Sequence, residues 1–202
     1  MNVASSLDEN STFAIIRAGD RTRQSFQGLE KACGMECGDA LRPFRLASTI
    51  EEFLDANDCV GASLVVVFYL RDGSEDDSKL LSGFRDLQDQ FEKLNVKLAA
   101  VGLEPIDAHK AFAERLGLKF PLLSDPELKL ARDFGVVQQT QLEGKPALEL
   151  RRATFFFDVS LRVAKVYPNP PVDGHAQLVL NDAQAWLNRE EPHDVVRMRQ
   201  CC

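Results

Sequence analysis

The sequence predicts an α/β fold in which a central sheet of mixed strand direction is flanked by helices. Three observations carry this. First, Ser63 to Leu70 (SLVVVFYL) is an unbroken β-branched and aromatic run, bounded by Gly61 and by Asp72-Gly73. A run of this kind suits a central strand buried on both faces. Second, Leu80, Leu81, Phe84, Leu87, Phe91 and Leu94 follow it at helical spacing, which predicts a long amphipathic helix. Third, strand and helix signals go on alternating until a strand pair and a closing helix end the pattern.

Taken in order, the first 37 residues carry the fewest signals. Residues 1–11 are polar, and Phe13 to Ile16 is a short apolar run that fits a strand. Ile50 to Leu54 reads as a short helix, with Ser48 or Thr49 as its cap and Glu51 and Glu52 at its positive end. The central strand and the long helix come next, followed by a strand from Val96 to Leu103. Ala108, Phe112 and Leu116 mark a second helix that Gly117 stops, and Asp125-Pro126 opens a third, closed by Gly135. Thr154 to Phe157 and Val163 to Tyr167 read as paired strands around a turn at Asp158 to Leu161, and Ala176 to Leu187 as the last helix. The order is thioredoxin-like.

Composition narrows the function classes. The chain has 202 residues, 45% hydrophobic and 27% charged, with a net charge of −7. That is the balance of a soluble globular domain, and the acidic excess argues against nucleic acid or anionic membrane as a partner. No stretch approaches the ~18 to 20 apolar residues of a membrane span. Met1 to Asn10 has no basic segment followed by an apolar one, and Asp8 and Glu9 come early, so no leader is expected. The cysteines are Cys33, Cys37, Cys59, Cys201 and Cys202, an odd set without C-x-x-C, which reads as reduced thiols. The expected compartment is the cytoplasm or another reducing one, an organelle stroma or matrix included.

Several ordered motifs then become specific. FYLRDGSEDDSKLLSGFRDL (Phe68 to Leu87) resembles the active-site segment of the bacterioferritin-comigratory, or Q-type, peroxiredoxins of the AhpC/TSA family. FAERLGLKFPLLSDPELKLARDFGV (Phe112 to Val136) is similar to the middle segment of that family, RATFFFD (Arg152 to Asp158) to its arginine-plus-strand segment, and GHAQLVL (Gly174 to Leu180) to its last helix. The resemblance implies a thioredoxin-like peroxiredoxin fold over residues 38–187, with residues 1–37 as an N-terminal extension and 188–202 as a C-terminal tail.

The resemblance also implies reduction of a hydroperoxide by a cysteine thiolate. A helix N-terminus and an arginine would hold the thiol deprotonated, a hydroxyl would position the peroxide, and a proline would shield the sulfur. Carried over, the arginine is Arg152 and the hydroxyl Ser74, but the proline position holds Leu70. The peroxidatic cysteine position holds Asp77, and the resolving cysteine position, five residues on, holds Ser82. Sulfur reaches the sulfenic acid by a reversible two-electron oxidation that a carboxylate oxygen does not share. Asp77 instead suits the start of a helix expected near Ser78, where it can cap N–H groups and face Arg152 as a charge-assisted pair. The expected protein is a catalytically inactive pseudoenzyme that binds or scaffolds, as a homodimer or on a protein partner, with no cofactor and no metal. The alternative is a thiol peroxidase that uses a relocated thiol, Cys33 or Cys37, with thioredoxin as its reductant.

The remaining candidates have plainer readings. Cys59 precedes the central strand, so it should lie about 20 Å from the Asp77 end and serve as a small buried hydrophobe. Cys33 and Cys37 with Cys201 and Cys202 would make a four-thiolate zinc set, but the spacing fits no strong pattern. MRQCC does not match the C-a-a-X prenylation signal, which leaves a reactive tail as the first reading and lipidation as the second. Glu75, Asp76 and Asp77 could attract Mg²⁺ or Ca²⁺, although a solvated helix cap is the simpler account. His175 is expected exposed in a first helical turn, His109 on a polar helix side and His193 in the tail, so no histidine triad is expected. Trp186 should pack against the sheet.

Overall fold

The computed structural model describes residues 14–16, 34–142 and 145–189 of the chain. The continuous apolar run becomes β4 (Ser63–Phe68), every residue of which is buried. It pairs in parallel with β5 (Val96–Gly102), which pairs in parallel with β6 (Leu122–Ser124). On its other side β4 pairs antiparallel with β9 (Ala153–Phe157), and β9 pairs antiparallel with β10 (Val163–Pro168). The full sheet has seven strands in the order β10-β9-β4-β5-β6-β2-β3, with β2 at Arg45–Ser48 and β3 at Phe53–Asp55. The mixed sheet of the sequence reading is therefore present.

Strand alternation divides the core between the two faces of the sheet. Val65, Val67 and Tyr69 look toward α1 (Glu75–Asp86), α2 (Gln88–Lys93), α3 (Ile106–Leu116) and α5 (His175–Leu187). Leu64, Val66 and Phe68 look toward α4 (Lys129–Asp133), where Phe134, Leu130 and Ala131 close the core together with Leu148 and Leu150. Those two leucines belong to β8 (Lys145–Leu150), which pairs antiparallel with β7 (Val137–Leu142) and in parallel with β1 (Ala14–Ile16). Met35 of the N-terminal extension is buried in the same layer.

Several expectations need correction. Where a helix was expected at Ile50 to Leu54, residues 50–52 form the bend between β2 and β3, and Phe53 and Leu54 enter β3 opposite Ala47 and Leu46. The presumed cap residues act differently: Ser48 Oγ accepts from the Ile50 N–H at 3.3 Å, and Thr49 Oγ1 accepts from the Leu122 N–H at 3.0 Å. A helix of a single turn buries little, whereas pairing of β3 with β2 satisfies the backbone. The long helix is broken at Leu87, whose φ of −104° and ψ of 2° separate α1 from α2. Both pieces keep their apolar side on the sheet, so periodicity does not register the break. The third helix shrinks to α4 because Leu128 is left-handed at φ 56°. Asp125 then reaches across the turn to accept from the Lys129 and Ala131 N–H groups. The β7–β8 hairpin and β6 were not foreseen.

Candidate functional site

The site assembles at the carboxyl end of β4. Phe68 pairs with Ala153, so Arg152, one residue before β9, falls beside the turn that carries β4 into α1. That turn, Leu70 to Ser74, includes Gly73 at φ 79°, a left-handed conformation that glycine adopts without strain. Helix α1 begins at Glu75, earlier than the sequence suggests, and its cap is Ser74, whose Oγ accepts from the Asp77 N–H at 3.1 Å. Asp77 is thus the third residue of the helix and not its cap.

Asp77 is 1% exposed. Its Oδ1 accepts from Arg152 Nε at 3.1 Å and from Nη2 at 2.8 Å. Its Oδ2 accepts from the Ser74 hydroxyl at 2.7 Å and from the Arg71 backbone N–H at 3.1 Å. The Arg152 side chain is 12% exposed, so the ion pair is nearly dry. A buried carboxylate persists when it is paired and its lone pairs are filled, and both conditions hold here. The charge-assisted pair expected from sequence is present. Leu70 is half-buried against the α4 side of the core, and Ser82 is half-buried on α1.

The cysteines lie elsewhere. Cys59 is 1% exposed, and burial raises its thiol pKa. It borders a cavity of about 320 Å³ with Leu64, Gln88, Val96 and Phe120, around the amino end of β4 and away from Arg152. Cys37 is disulfide-bonded, which corrects the reading of every cysteine as a reduced thiol. Its Sγ stands 3.7 Å from the Ala164 carbonyl, beside β10. Ala164 lies between Val163, opposite Phe157, and Lys165, opposite Phe156, so Cys37 is about 13 Å along β9 from Arg152. Cys33, Cys201, Cys202 and His193 lie outside the described residues.

Both helical histidines differ from expectation. His175 is 1% exposed, with Nε2 at 2.9 Å from Thr154 Oγ1, and burial lowers its pKa to about 4. Its helix starts against the sheet, so the first turn faces inward. His109 is 0% exposed. Its Nδ1 lies 2.8 Å from Asp72 Oδ2 and 3.0 Å from the Tyr69 hydroxyl, which donates to Asp72 Oδ1 at 2.7 Å. Glu104 joins this group by accepting from the Asp72 N–H at 3.3 Å. Gly102 makes room for it, since a Cβ there would stand 2.8 Å from His109 Cε1 and from Tyr69 Cζ and Oη. Sequence reading missed this cluster. Its available signal was topological: Tyr69 and Asp72 follow β4 and Glu104 follows β5, and carboxyl ends of adjacent parallel strands gather functional groups.

No helix among the described residues is long and apolar enough to cross a membrane. The comparisons agree with the geometry. A relative from Coxiella burnetii, a putative peroxiredoxin bcp, is 30% identical over 72% of this chain and 97% of its own length. Peroxiredoxin Bcp of Xanthomonas campestris is 30% identical over 68% of this chain and 85% of its own length. Among solved structures, the bacterioferritin comigratory protein of Xanthomonas campestris, studied for its alkyl peroxide reduction, is 27% identical. It superposes with a TM-score of 0.68 over 71% of this chain and 92% of that one. A Cys-to-Ser mutant of Xylella fastidiosa PrxQ is also 27% identical, with a TM-score of 0.70 over 75% of this chain and 97% of that one. The AhpC/TSA family model matches residues 37–166. With its thioredoxin-like sheet, its arginine ahead of β9 and these relatives, the chain belongs to the AhpC/TSA family of peroxiredoxins.

Proposed function

We propose that this chain is a peroxiredoxin-family pseudoenzyme, with Asp77 standing where the peroxidatic cysteine would be, that works by binding or scaffolding. One observation carries the reading: Asp77 is buried, and both of its oxygens are occupied by Arg152, Ser74 and Arg71. The groups that would activate a thiolate and hold a peroxide are engaged with a carboxylate. Oxidation to a sulfenic acid needs sulfur, and carboxylate oxygen offers no equivalent step. Ser82 at the resolving position and Leu70 at the proline position support the same reading.

The work we assign is association, with a second copy or a protein partner, in the cytoplasm or another reducing compartment. Residues 1–37 and 188–202, outside the resemblance, are where partner-specific contacts are expected. A relocated thiol is the second reading, favoured by the disulfide at Cys37. Its distance from Arg152 weighs against it, because the cation would no longer stabilise the thiolate or the leaving oxygen. Peroxide consumption coupled to thioredoxin, thioredoxin reductase and NADPH separates the two. The expected rate equals the blank. Turnover above the blank that disappears in Cys33→Ser or Cys37→Ser would replace the pseudoenzyme reading with the relocated thiol.

A further inference from the structure

We propose that Asp72, Glu104 and His109 form a binding site for a divalent first-row transition-metal ion. One donor atom from each of the three residues lies within 4.8 Å of the others. A cation can gather such a set with small side-chain adjustments, since ligands on opposite sides of an ion stand about 4 to 5 Å apart. Two carboxylates and an imidazole are the mixed oxygen and nitrogen donors that suit manganese, iron or zinc.

One further feature points to a missing positive partner. Glu104 Oε2 is shielded from solvent with no hydrogen-bond partner among the described residues. An ionised oxygen left bare in this way is costly, and a cation beside it removes the cost. The Asp72 side chain keeps 12% exposure, so one donor of the set meets solvent.

On binding, His109 presents the Nδ1 lone pair and any proton there passes to solvent. The Tyr69 hydroxyl continues to donate to Asp72 Oδ1 and so fixes the carboxylate, the supporting role that outer groups play around metals. The ion would also tie Asp72 to the turn that leads to Ser74. The site is separate from Asp77 and Arg152 and does not depend on the pseudoenzyme reading.

The test uses the full chain, stripped with a chelator and titrated with Mn²⁺, with free ion followed by electron paramagnetic resonance. Mn²⁺ is chosen because a hard ion avoids the cysteine sulfurs. The expected result is saturable binding that weakens about tenfold or more in Glu104→Gln and in Asp72→Asn. Asp76→Asn, an exposed acid on α1, should leave it unchanged. In the unaltered chain, bound Mn²⁺ should broaden the His109 imidazole resonances and the Asp72 and Glu104 amide signals, which needs no variant. No binding at millimolar Mn²⁺, equal affinity in both variants, or broadening centred on Glu75 and Asp76 would each overturn the site.

Discussion

Replacing Arg152 with methionine tests the electrostatic centre of the molecule. The change keeps an apolar stem of similar reach and removes the guanidinium. Asp77 Oδ1, which accepts from Nε at 3.1 Å and from Nη2 at 2.8 Å, would then be left bare in a residue 1% exposed. Breaking a buried pair from one side costs about 3 to 5 kcal/mol. The lower end applies, because Oδ2 keeps the Ser74 hydroxyl and the Arg71 N–H, and because Arg152 is 12% exposed. The expected loss is about 3 kcal/mol, or about 6 to 12 °C in Tm for a domain of this size. Urea unfolding, with the slope checked for constancy, gives the free energy. The double variant Asp77→Asn with Arg152→Met supplies the control: with the charge gone it should recover at least about 1 kcal/mol over Arg152→Met alone. A Tm within about 1 °C of the unaltered chain, or a double variant no more stable than the single one, would refute the reasoning.

Two other outcomes are expected. Asp77→Cys should gain peroxide consumption, measured by peroxide loss with a thiol reductant, because Ser74 and Arg152 already converge on that position; a rate equal to the blank would mean that Leu70 and the turn no longer admit the substrate. His175 gives a pH signature: its pKa falls from 6.5 unfolded to about 4 folded because burial disfavours the charged ring. Its contribution is therefore complete above about pH 6.5 and is lost as pH falls toward 4, up to roughly 3 kcal/mol. The free energy of unfolding should fall accordingly between pH 7 and pH 4, and His175→Asn should flatten that dependence; an unaltered profile in the variant would remove His175 as its source.

Much of the fold was legible because its signals are local. The run at Ser63 to Leu70 needed no partner to read as a buried strand, and its alternation set which side chains meet which layer. Helices α1, α3 and α5 carry their stripes in contiguous sequence, and Gly117 marks the end of α3 at φ 64°. The failures are equally specific. Ile50 to Leu54 followed helix chemistry but became the turn into β3, whose Phe53 and Leu54 pair with β2, and Leu128 held back the start of α4 by a backbone choice that leucine composition does not announce.

What the sequence determined by itself was the family layout and the identity of the residues proposed for the candidate site: Asp77, Ser74, Leu70, Ser82 and Arg152 stand in ordered motifs. Only the tertiary structure decided how those residues are used. Asp77 and Arg152 are 75 positions apart, and their bond depends on the β4–β9 register that sets Ala153 against Phe68. The same holds for Asp72 and His109, 37 positions apart, and for His175, turned inward onto Thr154. Periodicity records which face a residue takes on its own element. Burial and partnership depend on the element that arrives opposite, and strand pairing settles that over distances at which local patterns carry no information.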